Sequence, residues 1–237
     1  MPLLPLHLSS NEAQGLKAGE PLAQYEIGDA RNFNYLVIDW DSRRAALIDP
    51  HSGLSPILDD LKAHQLSLVE VWLTHSHWDH VAGLPELARA RPDLTVRVHI
   101  EDQHRLKKWK NQFPHVNLLP LHDGEVLNWG SSSLTVKVMH TPGHSAGECC
   151  YFIERSGSFY LLTGDTLFIR DCGRTDFADG SNDAMFASLQ KIASLPPETV
   201  ILPGHHYQKE CASTLAQELA SSPPLQCRSV EELAALP

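Results

Sequence analysis

The chain has 237 residues, of which 42% are hydrophobic and 20% are charged, and its formal net charge is −10 at pH 7. This length is sufficient for one sizeable domain, and a negative chain with scattered basic residues is not expected to bind nucleic acid, which needs a clustered basic surface. The sequence has no apolar run of the roughly 18 residues that a membrane-spanning helix needs.

Short β-rich runs alternate with amphipathic segments along the first half of the chain. Their periodicity predicts strands at 33–40, 45–50, 69–74 and 95–100, and helices at 53–65, 83–92 and 101–110. Segment 101–110 is the most polar of these helices.

The second half repeats this alternation. It predicts strands at 133–140, 149–154, 159–164 and 199–204, and helices at 182–195, 208–220 and 229–235. Asn182 is the predicted N-cap of its helix, and "SVEE" at 229–232 has the pattern of a capping box. We therefore expect an α/β or α+β sandwich in a single domain, residues 1–237, with a poorly defined N-terminal segment at 1–20 and C-terminal helices over 208–237.

Histidine and aspartate side chains directly follow four of the predicted strands. Strand ends that carry loops at one edge of a sandwich bring residues that are distant in sequence into one pocket. The side chains are His75, His77, Asp79 and His80 after strand 69–74, His144 after 133–140, Asp165 after 159–164 and His205 after 199–204.

Spacing within "HSHWDH" separates these residues into two pairs. In an extended loop, His75 and His77 point the same way and can share one metal ion. Asp79 and His80 come one turn later and can hold a second ion. Isolated histidines elsewhere are expected to be structural, and His206 is expected to point away from its neighbour His205.

The remaining three residues complete two ligand sets. His144 added to the first pair gives three imidazoles, and His205 added to the second gives one carboxylate and two imidazoles. Asp165 has two carboxylate oxygens and can bridge both ions. Such ligands suit two divalent metal ions, with zinc favoured and iron or manganese as alternatives. Two such ions can hold a bridging hydroxide, because metal-bound water has a pKa of ~7.

At this point the motifs "THSHWDH", "PGHS", "GDTLF" and "PGHHY" resemble, in order and spacing, the metallo-β-lactamase fold superfamily. The resemblance covers roughly residues 25–215. It implies a four-layer αβ/βα sandwich with a dinuclear site at one edge. It also implies His75, His77 and His144 for the first metal, Asp79, His80 and His205 for the second, and Asp165 for the bridge.

The segment "TGDTLFIRDCGRTDF" (163–177) resembles a loop shared by two enzyme groups, glyoxalase II (hydroxyacylglutathione hydrolase) and ETHE-type persulfide dioxygenases. In glyoxalase II a cation follows the Cys-Gly pair, and a tyrosine lies two residues after the last histidine ligand. The resemblance therefore implies substrate-binding roles for Arg174 and Tyr207. The structural alternatives are an ion pair between Arg174 and Asp171 or Asp176, and simple aromatic packing of Tyr207.

Three functional hypotheses remain open. The first is hydrolysis of a small-molecule thioester such as S-lactoylglutathione by the bridging hydroxide, with Asp79 or Asp165 as the catalytic carboxylate. Trp78 in "HSHWDH" adds a likeness to glyoxalase II. The second is a mononuclear Fe(II) glutathione persulfide dioxygenase that uses His75, His144 and Asp165. The segment "GRTDF" is closer to these dioxygenases and to short bacterial hydrolases. The third is a metal-binding module without catalysis, which would fold without turning over any substrate.

The cellular setting is predicted from the cysteines and from the first residues. The five cysteines form no CxxC pair, and the opening "MPLLPLHLSS" has two prolines and no lysine or arginine, unlike an export signal. We therefore expect a cytoplasmic chain with reduced thiols. The sequence leaves open whether the protein is a monomer or a homodimer.

Overall fold

The computed structural model describes residues 15–127 and 134–236, and its centre is built from two six-stranded β-sheets. The first sheet has its strands in sequence order across the sheet: β1 (Leu22–Ile27), β2 (Asn32–Asp39), β3 (Arg44–Ile48), β4 (Ser67–Trp72), β5 (Thr95–His99) and β6 (Asn117–Leu121). Strands β1 to β3 are antiparallel, whereas β3 to β6 are parallel and are joined by helical crossovers.

The second sheet has the order β14-β13-β10-β9-β8-β7. Its strands are β7 (Val126–Leu127), β8 (Leu134–His140), β9 (Cys149–Arg155), β10 (Ser158–Gly164), β13 (Val200–Pro203) and β14 (Ser213–Thr214), while β11 and β12 lie outside this sheet. Only the β10–β13 pair of this sheet is parallel. A small two-stranded ribbon lies between β10 and β13 in sequence, formed by β11 (Leu167–Phe168) and β12 (Asp171–Cys172).

Helices connect these strands and cover their outer faces. They are α1 (Ser55–Ala63), α2 (Trp78–Val81), α3 (Leu84–Ala90), a 3₁₀ helix (Ile100–Leu106), α4 (Lys107–Gln112), α5 (Asn182–Ala193), α6 (Leu215–Ser221), α7 (Pro223–Gln226) and α8 (Val230–Ala234). In the part of the chain that the structure describes, no helix has the length and apolar character needed to cross a lipid bilayer.

Side-chain alternation along the strands creates three apolar layers. In β2, Tyr35 and Val37 face the second sheet and join the central core, while Leu36 and Ile38 face outward and pack with α1 and α3. The outer face of the second sheet packs against α5 in the same way. Two sheets with helices outside each give four layers, which confirms the predicted αβ/βα sandwich of the metallo-β-lactamase type.

Hydrogen bonds join the two sheets at the edge where the loops after β4, β8, β10 and β13 meet. Phe33 N–H donates to Gly204 O at 2.8 Å, and Cys149 N–H donates to Thr74 O at 2.8 Å. Each bond joins a strand of one sheet to a loop that leaves the other. These bonds fix the relative positions of the loops that carry the candidate ligands.

Several sequence predictions need correction. The predicted helix 101–110 is a 3₁₀ helix followed by α4, and 208–214 is not helical, because residues 213–214 pair as β14 with β13. Ser181, not Asn182, caps α5, since its side chain accepts from Ala184 N–H. The complete capping box lies at Thr214 and Gln217. At 229–232 Ser229 does cap α8, but the Glu232 side chain accepts from Arg228 N–H.

The strands at 22–27 and 117–121 were not predicted, and neither were the two-residue strands. Short or partly polar strands carry too little periodicity to be recognised before their partners are known. Of the predicted N-terminal segment 1–20, residues 15–20 have no helix or strand, and residues 1–14 lie outside the described residues, as do 128–133 and 237.

Candidate metal centre

The structure brings all seven predicted ligands together at one edge of the sandwich. Three sets of three side chains have potential ligand atoms within 4.8 Å of one another. They are His75, His77 and His144; His75, His80 and Asp165; and Asp79, His80 and His205. The first and the last have the same composition as the two ligand sets predicted from the sequence, and we call them the first and second triads.

Asp165 lies between the two triads. Its Oδ2 is 3.4 Å from Nε2 of His144 in the first triad and 3.4 Å from Nε2 of His205 in the second. Its Oδ1 is 3.4 Å from Nε2 of His80. One carboxylate is therefore within reach of both potential ion positions.

The chain turns sharply through the HxHxDH segment. Residues 75–77 have no regular structure, and α2 then begins at Trp78 with His77 in an extended conformation at its N-cap. Asp79 and His80 occupy the first turn of α2. The change from loop to helix sends the first two histidines to one triad and the next two ligands to the other.

Backbone carbonyls orient the ligands of the second sheet. Nδ1–H of His144 donates to the carbonyl of Arg174 at 2.8 Å, and Nδ1–H of His205 donates to the carbonyl of Ala30 at 3.0 Å. In both rings this leaves the Nε2 lone pair directed at the candidate site. Such outer partners fix the tautomer and the ring orientation of metal-binding histidines.

Buried carboxylates lie behind the ligands of the first sheet. Nδ1 of His80 is 3.0 Å from Oδ2 of Asp49, and Nδ1 of His75 is 3.2 Å from Oε2 of Glu148. Thr74 completes this network: its hydroxyl donates to Asp49 at 2.6 Å and lies 3.1 Å from Nδ1 of His75. Neither carboxylate was among the predicted site residues.

The electrostatics of the first triad favour neutral imidazoles. Burial lowers the pKa of His75 well below its ordinary value, lowers the pKa of His77 to about 4, and lowers the pKa of His144, with neighbouring histidines adding to the effect. All three rings are therefore uncharged at pH 7, which is the form that binds a metal ion.

The surroundings of the second triad favour a positive charge on His80, which lies between Asp49 and Asp165. Burial opposes charge on His80, but Asp165 and Asp49 raise its pKa well above the ordinary value. Burial also opposes charge on Asp165, yet His80 and His205 hold the pKa of that carboxyl well below its usual range. A site that favours negative carboxylates around a cation suits a divalent metal ion.

Atoms that lack partners show that a metal fits these residues. His75 Nε2 and Asp165 Oδ1 are buried and have no hydrogen-bond partner among the described residues. His80 Nε2 and His205 Nε2 face each other at 3.2 Å, although each ring already has an acceptor at Nδ1. Two ring nitrogens at that distance need a cation between them, which is either the proton that the neighbouring carboxylates favour on His80 or a metal ion in its place.

Gly173 allows the loop after β12 to pass under the ligands. A Cβ at this position would overlap the carbonyl oxygen of Asp165 and approach His144 Nδ1 to 3.0 Å. The next residue, Arg174, forms a two-pronged ion pair with Asp176, at 2.5 and 2.6 Å, and stacks over the ring of Phe177 at 4.9 Å. The structure therefore shows the ion pair that was the structural alternative for Arg174. The Arg174 side chain is nevertheless exposed and lines the cleft described below.

Tyr207 stacks on the ring of His205, one of the predicted ligands. Its ring is nearly parallel to that of His205, with centroids 4.7 Å apart, and its edge meets Phe168. Burial of part of the ring raises the pKa of Tyr207 to about 12, so the hydroxyl is a proton donor at pH 7. The side chain remains 52% exposed. It therefore packs against the site and also faces the cleft.

A cleft of about 960 Å³ opens over the ligands. Its floor contains His77, Asp79, His144, Asp165 and His205, and its rim contains Trp78, Arg174, Phe177 and Tyr207. Residues of α8 also line the cleft. The volume is in the upper part of the range of small-molecule sites, so the cleft can hold a substrate of the size of a modified peptide.

Residues 28–205 match the Metallo-beta-lactamase superfamily. The chain belongs to this superfamily. Among curated relatives, the hydroxyacylglutathione hydrolase of Ruegeria pomeroyi is 34% identical over 200 residues, which cover 84% of this chain and 72% of the relative. Over four relatives of that name, the matched residues span 61% to 72% of the relative's length. The predicted likeness to glyoxalase II is confirmed.

Solved structures of the superfamily show the same fold. ETHE1 from Myxococcus xanthus aligns with a TM-score of 0.75 and 28% identity, covering 91% of this chain and 92% of that chain. TTHA1623, solved in a di-iron-bound form, aligns with a TM-score of 0.70 and 30% identity, covering 84% of this chain and 98% of that chain. Likeness to the ETHE group is thus also present.

Beyond the motifs of the superfamily, the structure reveals supporting residues that the sequence reading missed. Asp102, at the start of the 3₁₀ helix, accepts from Ser76 N–H at 2.7 Å and from Gly147 N–H at 2.9 Å, which joins two ligand loops. Asn32 donates to Asp79 Oδ2 at 3.0 Å. An acid at a strand end, as in "AALIDP", is a signal that could have identified Asp49, but Asp102 and Asn32 have none.

His206 points away from the ligands, as expected. Its Nδ1 lies 2.6 Å from Glu26 Oε2, and its Nε2 faces Cys211 Sγ at 3.5 Å. It therefore has a structural environment of its own although its neighbour His205 is in the second triad.

Proposed function

We propose that this protein is a metal-dependent hydrolase that cleaves a thioester of the hydroxyacylglutathione type, with S-lactoylglutathione as the representative substrate. The observation that carries the proposal is Asp165, whose Oδ2 is 3.4 Å from a ligand nitrogen of each triad. A shared carboxylate between two triads is the arrangement expected of a dinuclear centre. The curated relatives, at 30% to 34% identity, support the substrate class.

In this proposal each triad would hold one divalent ion, and Asp165 would be the carboxylate shared between the two triads. The first ion is held by His75, His77 and His144, and the second by Asp79, His80 and His205. When bound, such ions polarise a carbonyl oxygen and lower the pKa of water to ~7. Zinc is the favoured metal, and iron and manganese also suit imidazole and carboxylate ligands.

The two catalytic carboxylates have different surroundings. Asp79 is held at Oδ2 by the Asn32 side chain, and His80 and Asn32 lower its pKa against the opposing effect of burial. Asp165 is held at its backbone N–H by Glu148. Both remain ionised at pH 7 and can orient the nucleophilic water and accept its proton. The leaving thiolate is weakly basic and departs without a general acid.

Arg174 and Tyr207 are the proposed substrate-binding residues. The Arg174 guanidinium can exchange its Asp176 partner for a substrate carboxylate, because both offer the same two-oxygen geometry. Tyr207 presents its hydroxyl beside the second triad. Glutathione derivatives carry carboxylates and amides that match these groups.

Metal content and thioester hydrolysis together test the proposal. Protein from cells grown without added metals is analysed by inductively coupled plasma mass spectrometry and assayed with S-lactoylglutathione. We expect about two equivalents per monomer, zinc or a zinc–iron mixture, and hydrolysis that depends on them. Full metal content without turnover of any thioester would refute the function while leaving the metal centre intact.

A second candidate is oxidation of glutathione persulfide at a single iron, which the likeness to ETHE1 from Myxococcus xanthus favours. Its predicted ligands, His75, His144 and Asp165, are not one of the three compact sets found among the described residues. About one equivalent of iron, with oxygen uptake on glutathione persulfide, would select this function instead.

We also place the activity in the cytoplasm. All five cysteines lie in the described part of the chain and no disulfide joins them, which supports a reducing compartment. A small-molecule substrate remains the proposed partner.

A further inference from the structure

Glu148 is a wholly buried carboxylate behind the ligands, immediately before β9. Its Oε1 accepts the backbone N–H of Asp165 at 3.0 Å. Its Oε2 lies 3.2 Å from Nδ1 of His75 and has no hydrogen-bond partner that meets strict geometry among the described residues. A buried carboxylate is costly unless it is held by charged or hydrogen-bonding groups.

The two residues that Glu148 contacts come from different sheets. His75 follows β4 of the first sheet, and Asp165 follows β10 of the second. They share one of the three compact ligand sets, which connects the first triad to the second. Glu148 is therefore placed where it can set the distance between the two triads.

The surrounding chain leaves room for this carboxylate. Gly164, directly before Asp165, adopts φ +50°, and a Cβ there would overlap Glu148 Oε1 and approach Thr74 Oγ1 to 2.6 Å. A larger residue at 164 would push the carboxylate away from Asp165. The glycine and the glutamate thus form one local arrangement.

We propose that Glu148 is a positioning residue of the metal centre, which ties His75 to Asp165 and so sets the affinity for metal ions. The proposal rests on the metal centre proposed above. Outer-shell partners of this kind change metal affinity by about 10–100-fold when they are replaced.

The chemistry of the contact explains why a carboxylate is needed. Glu148 presents one oxygen to each group: Oε1 accepts Asp165 N–H at 3.0 Å, and Oε2 faces Nδ1 of His75 at 3.2 Å. An amide has one acceptor and one donor, so a glutamine can serve only one of these groups and turns an N–H toward the other. Glu148→Gln therefore keeps the volume of the side chain but loses one of its two contacts.

The test compares Glu148→Gln with Glu218→Gln. Glu218 is also a buried glutamate, and it accepts Arg170 N–H at 2.7 Å and Ser213 Oγ–H at 2.6 Å on α6, outside the ligand sets. Both variants are stripped of metal and titrated with cobalt(II) against a competing chelator, while the visible spectrum reports the coordination of each ion.

We expect Glu148→Gln to bind cobalt about 10–100-fold more weakly than the natural protein, with a changed visible spectrum. We expect Glu218→Gln to keep both the affinity and the spectrum, whatever its effect on folding. Natural affinity and an unchanged spectrum in Glu148→Gln would overturn the proposal, and so would an equal loss in Glu218→Gln.

If the glutamine variant does not fold, cobalt binding is measured on Glu148→Asp instead. Its carboxylate is one methylene shorter and cannot reach both partners, so we again expect weaker cobalt binding, and natural affinity would overturn the proposal. Because the measurement is metal binding, a protein that binds two ions but hydrolyses no thioester would refute the proposed function and leave this inference standing.

Discussion

The proposed metal ligands and the rim of the cleft are held in different ways. His75, His80, His144 and His205 are buried, and each has a partner for the nitrogen that faces away from the site. At the rim, by contrast, Trp78 is 73% exposed. The ligand cluster is fixed by the fold, whereas the rim is held mostly by its own neighbours.

This difference separates the residues proposed to carry out the reaction from those proposed to select the substrate. Buried ligands with fixed outer partners keep their geometry through the reaction, which metal catalysis requires. Exposed rim side chains can exchange partners at little cost, because surface ion pairs contribute little. We therefore expect changes at the ligands to abolish activity and changes at the rim to alter substrate affinity.

Removal of metal should have the largest effect. Dialysis against a strong chelator should eliminate activity and lower the free energy of unfolding by about 4 kcal/mol for each ion that was present at roughly a thousand times its Kd. The physical reason is that the ions bind the folded chain, which brings the seven ligand side chains together, and not the unfolded chain, which does not. Thermal unfolding and activity before and after zinc is restored provide the check; identical curves would contradict a metal centre.

Asp165→Asn should come next. A neutral amide removes the charge between the triads, so we expect kcat/KM on S-lactoylglutathione to fall about 10³-fold. Asp183→Asn, at an exposed position in the first turn of α5, is the control and should remain near the natural rate. Near-natural turnover of Asp165→Asn with full metal content would remove the bridging role.

Asp102→Asn should destabilise the fold behind the ligands. The asparagine can accept from only one side, so either Ser76 or Gly147 loses its acceptor, at a cost of about 2 kcal/mol. Urea denaturation measures the loss. The neighbouring exposed Glu101→Gln should leave the midpoint unchanged. Equal midpoints for both variants would show that Asp102 does not hold the two loops together.

Changes at Arg174 should be the smallest and should act in two directions. Arg174→Ala should raise KM about tenfold with little change in kcat, because it removes binding that is equal in the ground and transition states. Asp176→Asn should free the guanidinium and lower KM about threefold. Steady-state kinetics of both variants give the answer. A KM that moves in the same direction in both would contradict carboxylate binding by Arg174.

Much of the sandwich could be predicted because long strands and helices have clear periodicity. The strands β2, β8, β9 and β10 and the helix α5 were located close to their observed bounds. The predicted helix over 208–220 was wrong at its start, because residues 213–214 complete the edge of the second sheet instead. A strand that short exists only through its neighbour, which no local pattern records.

The sequence by itself determined the ligand set of the candidate site. Histidines and aspartates placed directly after strands, with HxHxDH spacing, are local patterns, and local patterns survive in a sequence. Only the tertiary structure decided what stands behind those ligands. Asp102 and Glu148 act through contacts between loops of the two sheets, and a contact between residues far apart in the chain leaves no periodic trace. The Arg174–Asp176 pair is local, and the sequence left it open for a different reason: Asp171 and Asp176 both lie within reach of the guanidinium along the chain.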